Sequence, residues 1–136
     1  RFIDGNTNGV EDSWEYGWFG GTDKFRATAD SDDDGLSDHS EYIAGTDPTR
    51  SDSRLIVENG FSGRNATVRF FARSSAGVGY EGLSRYYRLE WTTNVLAPNW
   101  QDVKGVVDIV GSNEWVSWTE MTPFPKRYYR LKARLQ

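Results

Sequence analysis

A twelve-residue acidic stretch, residues 30–41, limits the folds open to this chain more than any other part of its sequence. Counted from its first residue, carboxylates stand at places 1, 3, 5, 9 and 12, and a glycine stands at place 6. To surround Ca²⁺, a short loop needs oxygen ligands at those places, a sharp turn at the glycine and a bidentate carboxylate at place 12. The spacing therefore predicts a calcium loop with these ligands: Asp30, Asp32, Asp34, the carbonyl of Leu36, Asp38 and Glu41.

The same template fits residues 4–15, which begin 26 residues earlier. Places 3 and 5 carry asparagine here instead of aspartate, so we expect this first loop to bind calcium more weakly at equal rigidity. A solvated acidic turn is the alternative interpretation of either stretch, and the recurrence of the whole pattern favours two calcium sites. The predicted ligands of the first loop are Asp4, Asn6, Asn8, the carbonyl of Val10, Asp12 and Glu15.

A short helix is predicted after each loop. The first starts at Asp12 and is stopped by Gly20 and Gly21, and the second covers residues 37–43 and is stopped by Gly45. Helices this short are not stable alone, so each needs the metal at its N-terminal end and a shared aromatic cluster. The residues expected in that cluster are Trp14, Trp18, Phe19, Tyr42 and Ile43.

The hydrophobic pattern changes after residue 53, from helical spacing to the alternation typical of half-buried strands. Turn-forming residues, among them Asn59-Gly60 and residues 123–125, separate these stretches, and no helix is predicted between them. The expected fold class is mostly β: an antiparallel β-sandwich of about six strands, residues 54–136, preceded by a small loop-helix calcium-binding module, residues 1–53. The predicted strands are 54–58, 67–73, 86–91, 103–110, 114–119 and 128–135.

Charge divides along the same boundary. Residues 1–53 carry 13 acidic and 4 basic side chains, whereas residues 54–136 carry 7 acidic and 12 basic ones. Opposite net charges favour docking of one half on the other, or contact between copies. The net charge of the whole chain, −4, has the wrong sign for a nucleic-acid partner.

Cysteine is absent from the sequence, which excludes disulfides and thiolate zinc sites. The sequence also contains no apolar run of about 18 residues, so no membrane span is predicted.

Both loops, with the segment YIAGTDP at residues 42–48, resemble the paired EF-hand-type calcium loops of dockerins and thrombospondin type 3 repeats. The second loop and this segment are also similar to an Asp-rich stretch common in secreted proteins of environmental bacteria. Residues 86–131, from YYRLE to the closing YYRL, resemble the small β-domain that often follows it. The resemblance implies two Ca²⁺ ions, held by the ligands named above, and an extracellular or cell-surface location.

A non-catalytic role is expected. The only histidine, His39, lies inside the second loop, and the acidic residues of the β half show no spacing typical of a catalytic pair. We therefore expect a structural or adhesive module that associates with copies of itself or with other surface proteins by strand addition, as in a filament. The alternative is a carbohydrate-binding module associated with a polysaccharide-degrading enzyme. Its sugar-stacking residues would be Trp91, Trp100, Trp115 and Trp118.

Overall fold

The structure is a computed structural model that describes residues 1–121 and 126–136, apart from the side chain of Ser62. Within these ranges it contains two short helices, α1 (Asp12–Phe19) and α2 (Asp38–Ala44). Among the residues described, no helix is long and apolar enough to cross a bilayer, which takes about 20 residues.

The two helices begin and end where local signals predict. The side chains of Glu11 and Ser37 accept hydrogen bonds from the first turns of α1 and α2. Gly20 and Gly45 end the helices with the same φ of 75°, a left-handed conformation that glycine adopts without strain. Both predicted helices are confirmed.

The other regular structure consists of strands that pair antiparallel: β1 (Val57–Ser62), β2 (Asn65–Ala72), β3 (Arg85–Thr92), β4 (Gln101–Asp102), β5 (Ile109–Val110), β6 (Glu114–Met121) and β7 (Tyr128–Leu135). One sheet has the order β1-β2-β6. In the other sheet, β7 pairs with β3 along the whole strand, and β4 and β5 pair with separate parts of β3. The prediction of a mostly β fold with antiparallel sheets and two short helices is confirmed.

The strand predicted at 54–58 begins later, at Val57, and the turn predicted at Asn59-Gly60 is wrong. β1 runs through both of these residues, and the chain reverses after Ser62, at Gly63. Gly63 has a φ of 60°, which suits the first central position of a two-residue hairpin turn. The turn predicted at 123–125 lies outside the described residues.

The single strand predicted at 103–110 is also wrong. Most of this segment forms a loop between β4 and β5, in which Val103 and Val106 are buried. Gly105 and Asp108 adopt φ values of 91° and 56°, and backbone in that region cannot continue a strand. Val103 and Val106 therefore mark buried loop positions, and only Ile109 and Val110 of this segment form a strand.

Both sheets contribute to one hydrophobic core. Val68 and Phe70 of β2 pack in one cluster with Tyr87 and Leu89 of β3, and each of these side chains is at most 2% exposed. These alternate positions form the inward faces of the two strands.

A second cluster connects the loop-helix segment to the β half. Its buried members are Val10, Trp14, Phe25, Tyr42 and Tyr80. Tyr80 comes from the loop between β2 and β3, so the cluster crosses the boundary predicted near residue 53. Trp14 and Tyr42 are buried as expected, whereas Trp18 is 40% exposed, with its ring 6.4 Å from that of Trp14.

Candidate metal centres

The second loop curls its backbone around its own carboxylates. The backbone N–H of Asp34 donates to Oδ1 of Asp30 at 3.1 Å, and that of Gly35 donates to Oδ2 of Asp30 at 2.8 Å. The N–H of Leu36 in turn donates to Oδ1 of Asp34 at 2.8 Å. Gly35 has a φ of 94° at the turn, as the template requires at its sixth place. As a result, oxygens of Asp30, Asp32 and Asp34 come within 4.8 Å of one another.

Three carboxylate oxygens of this loop are buried without a hydrogen-bond partner: Oδ2 of Asp32, Oδ2 of Asp34 and Oε2 of Glu41. The whole Glu41 residue is 0% exposed, and its other oxygen, Oε1, accepts a hydrogen bond from Thr46 Oγ1 at 3.1 Å. A buried carboxylate oxygen without a donor is costly unless a cation faces it. These residues therefore fit a calcium ion, which prefers oxygen ligands of this kind.

The electrostatics of the loop agree with that fit. The pKa of Glu41 is raised from 4.5 to about 7, mainly by burial. The Thr46 hydrogen bond opposes this rise, and the negative charges of Asp32, Asp34 and Asp38 contribute to it. Burial also raises the pKa of Asp32, and the charge of Asp34 adds to this effect. The loop thus concentrates negative charge that a divalent cation would neutralise.

Asp38, the fifth predicted ligand residue, bonds within the loop. It is 1% exposed and accepts hydrogen bonds from the backbone N–H and the hydroxyl of Ser31, at 2.9 and 2.7 Å. Position 9 of such loops often reaches the ion through a water molecule. Asp38 therefore closes the loop onto the first turn of α2.

The first loop repeats these hydrogen bonds. The N–H groups of Asn8 and Gly9 donate to Oδ1 and Oδ2 of Asp4, at 3.1 and 2.8 Å. The N–H of Val10 donates to Asn8 Oδ1 at 2.9 Å, and the N–H of Gly5 donates to Oδ1 of Asp12 at 3.0 Å. Each bond has its counterpart 26 residues later, so the two predicted loops share one conformation.

The two loops differ at their centres. Glu15, the counterpart of Glu41, is 0% exposed, and burial raises its pKa. Its carboxylate accepts hydrogen bonds from Nδ2 of Asn8 at 2.9 Å and from Nδ2 of Asn6 at 3.4 Å. An amide nitrogen is not a calcium ligand, so both amides must turn their oxygens inward before this loop can hold the ion.

Three of the four tryptophans predicted to bind sugar have a guanidinium group over the ring. Arg127 lies 3.9 Å from the ring centre of Trp91, Arg130 lies 4.2 Å from that of Trp100, and Arg69 lies 4.2 Å from that of Trp115. A sugar ring would have to displace these cations to stack on the covered faces.

The exposure of these rings is unequal. Trp115 is 50% exposed, whereas Trp91 and Trp118 pack against the sheet core. The ring of Trp118 meets that of Tyr129 at 5.8 Å. Of the four, Trp115 therefore offers the most open surface, at the outer side of β6.

Two residues that support the second loop were missed by the sequence analysis. Thr46, which binds Glu41, lies in the segment that carries the family resemblance, but nothing in its type or spacing indicated this role. Arg85 binds the end of α2 and belongs to the motif Arg-Tyr-Tyr-Arg-Leu, which recurs at Arg127. The two copies of this motif are identical in sequence, so no sequence signal separates their roles.

Comparisons with protein-family models, with curated proteins and with solved structures find no match to this chain.

Proposed function

We propose that this chain is a non-catalytic, calcium-stabilised extracellular module with a structural Ca²⁺ in the second loop and a weaker one in the first. The observation that carries this proposal is the set of three buried carboxylate oxygens without partners on Asp32, Asp34 and Glu41. When bound, calcium would supply the positive charge that these oxygens lack. The twofold recurrence of the loop conformation supports a second site.

An extracellular or cell-surface location follows from the type of site. Weak calcium loops of extracellular modules work at the millimolar concentrations found outside cells. The two sheets that share one core favour the predicted antiparallel β-sandwich as the partner of this calcium-binding segment.

The proposed partners are copies of the chain or other surface proteins, joined by strand addition. Within the described residues, β6 pairs with β2 on one side and with no strand on the other. Its sequence, EWVSWTEM, has no lysine or proline, residues that commonly protect sheet edges. Trp115 and Met121 on this strand are 50% and 71% exposed. β6 is thus an open edge suited to accept another strand.

The calcium proposal is tested by isothermal titration of the metal-stripped protein. We expect two binding events of unequal affinity. Glu41→Gln should abolish or strongly weaken the tighter event, because position 12 supplies two oxygens, while Asp33→Asn, at a place that supplies no ligand, should leave both unchanged. Absence of heat from calcium binding, or equal effects of the two substitutions, would rule out the assignment.

The association proposal is tested separately by sedimentation velocity in calcium. Ser117→Lys places a charge on the exposed edge strand and should shift the protein toward monomer. Ser112→Lys, in the exposed turn before β6, serves as the control for charge alone. A wild-type protein that is monomeric at high concentration would refute self-association.

Carbohydrate binding is the weaker alternative, because guanidinium groups cover three of the tryptophan rings. If the protein does bind a glycan, Trp115→Ala should abolish its retention.

A further inference from the structure

Arg85 carries a buried positive charge without a carboxylate partner among the described residues. It is 1% exposed, and it forms no salt bridge in the parts of the chain that the structure covers. Backbone carbonyls hold it instead: Nε donates to the oxygen of Ile43 at 2.6 Å, and Nη1 donates to that of Ser74 at 2.7 Å. Ile43 lies in the last turn of α2, where the helix dipole favours a cation. Arg85 thus joins β3 to the end of α2.

Gly45 leaves the space that this contact needs. A Cβ atom built on Gly45 would lie 2.5 Å from Nη1 and 2.6 Å from Cζ of Arg85. The guanidinium group is itself confined by its hydrogen bonds, so it cannot move aside as a surface side chain would. Gly45, which ends α2, and Arg85, which binds a carbonyl of α2, therefore pack directly against each other.

Two tyrosines also fix this end of α2. The hydroxyl of Tyr42 donates to the carbonyl of Gly79 at 3.0 Å, and the hydroxyl of Tyr80 donates to the carbonyl of Tyr42 at 2.7 Å. Their rings stack with centres 5.1 Å apart. Three consecutive residues of α2 thus serve different partners: Glu41 faces the loop, Tyr42 meets Tyr80, and Ile43 accepts from Arg85.

We propose that Arg85 is a positioning residue for the second calcium loop, and that it couples calcium binding there to the stability of the β-sheets. It fixes the end of the helix that carries Asp38 and Glu41, so these carboxylates meet the ion already ordered. Because coupling is reciprocal, calcium in the loop stabilises the contact of α2 with β3. This inference rests on the proposed calcium function.

Two pairs of matched variants test it by calcium titration. Gly45→Ala and Gly20→Ala impose the same left-handed strain at φ 75°, but only the Cβ at position 45 collides with another residue. Arg85→Gln and Arg127→Gln change the first residue of the two identical motifs, and Arg127 pairs with Glu120 at 3.0 Å, away from α2. Gly45→Ala and Arg85→Gln should weaken the tighter calcium event about tenfold, whereas Gly20→Ala and Arg127→Gln should leave it within about threefold.

Hydrogen exchange of the wild-type protein gives a second readout that requires no variant to fold. Addition of chelator should accelerate amide exchange in β3 as well as in α2, because both ends of the contact loosen together. Acceleration confined to residues 1–53, or unchanged calcium affinity in a folded Gly45→Ala protein, would overturn the coupling while leaving the calcium site intact. A wild-type protein that binds no calcium would overturn both proposals.

Discussion

Glu41→Gln should change the stability of the protein in opposite directions with and without calcium. Burial raises the pKa of Glu41 from 4.5 to about 7. A raised carboxyl pKa means that the folded state holds its proton more tightly than the unfolded state. The folded metal-free protein therefore loses stability as pH rises from about 4.5 to about 7, by about 3 kcal/mol in full.

Glutamine removes this cost because it cannot ionise. At pH 8 in chelator, Glu41→Gln should stabilise the protein by up to about 3 kcal/mol. Its Oε1 can still accept the Thr46 hydrogen bond, so the substitution keeps that contact. In calcium the sign reverses at a thousandfold excess of calcium over the Kd, since wild type then gains about 4.1 kcal/mol, which exceeds the cost that glutamine removes, and the variant lacks the charged bidentate ligand.

The assay is urea denaturation at pH 8, followed by tryptophan fluorescence, once in chelator and once in excess calcium. Asp33→Asn is the control. Asp33 is an exposed residue of the same loop with φ 58°, a conformation that asparagine also tolerates, so this substitution should change stability little in either medium. Stabilisation of Glu41→Gln by the same amount in both media would show that the loop is an acidic turn without an ion, and would refute the reasoning.

Other perturbations follow from the same geometry. Metal-free protein should melt at a higher temperature at pH 5 than at pH 7.5 in scanning calorimetry, because protonation of Glu41 removes its buried charge. Asn6→Asp combined with Asn8→Asp should tighten the weaker calcium event in a titration and destabilise the metal-free protein, because Glu15 loses its amide donors. Gly79→Ala should lower thermal stability far more than Gly77→Ala, since a Cβ at 79 lies 2.5 Å from Trp14 Cβ, while one at 77 meets nothing within 4 Å.

The parts of the fold that could be predicted are those set by local chemistry. Gly20 and Gly45 mark the helix ends because a left-handed residue is required there, whatever surrounds the helix. The hydrogen bonds that backbone N–H groups donate to side chains in both loops also join residues at most seven positions apart, so the sequence spacing determines this part of the geometry. The prediction of a strand at 103–110 is wrong because alternating hydrophobic residues also suit a buried loop. The left-handed backbone conformation of Asp108 is not indicated by its residue type.

The role of Arg85 lay beyond sequence reasoning for a different reason. Arg85 and Arg127 open identical five-residue motifs, and the two strands even pair so that Leu89 lies opposite Leu131. Their different roles are set by tertiary contacts: Arg85 binds the end of α2, whereas Arg127 pairs with Glu120. The same holds for Tyr80, which reaches the loop-helix segment from a turn 38 residues away from Tyr42.

The asparagines of the first loop give it a resting arrangement that the second loop lacks. With Asn6 and Asn8 donating to Glu15, the first loop stays closed by neutral donors when it holds no ion. The second loop instead keeps three buried carboxylate oxygens without donors, on Asp32, Asp34 and Glu41. As the calcium concentration falls, the first loop should therefore release its ion first and keep its closed conformation. Only a lower calcium concentration should remove the ion from the second loop and loosen the structure around Glu41.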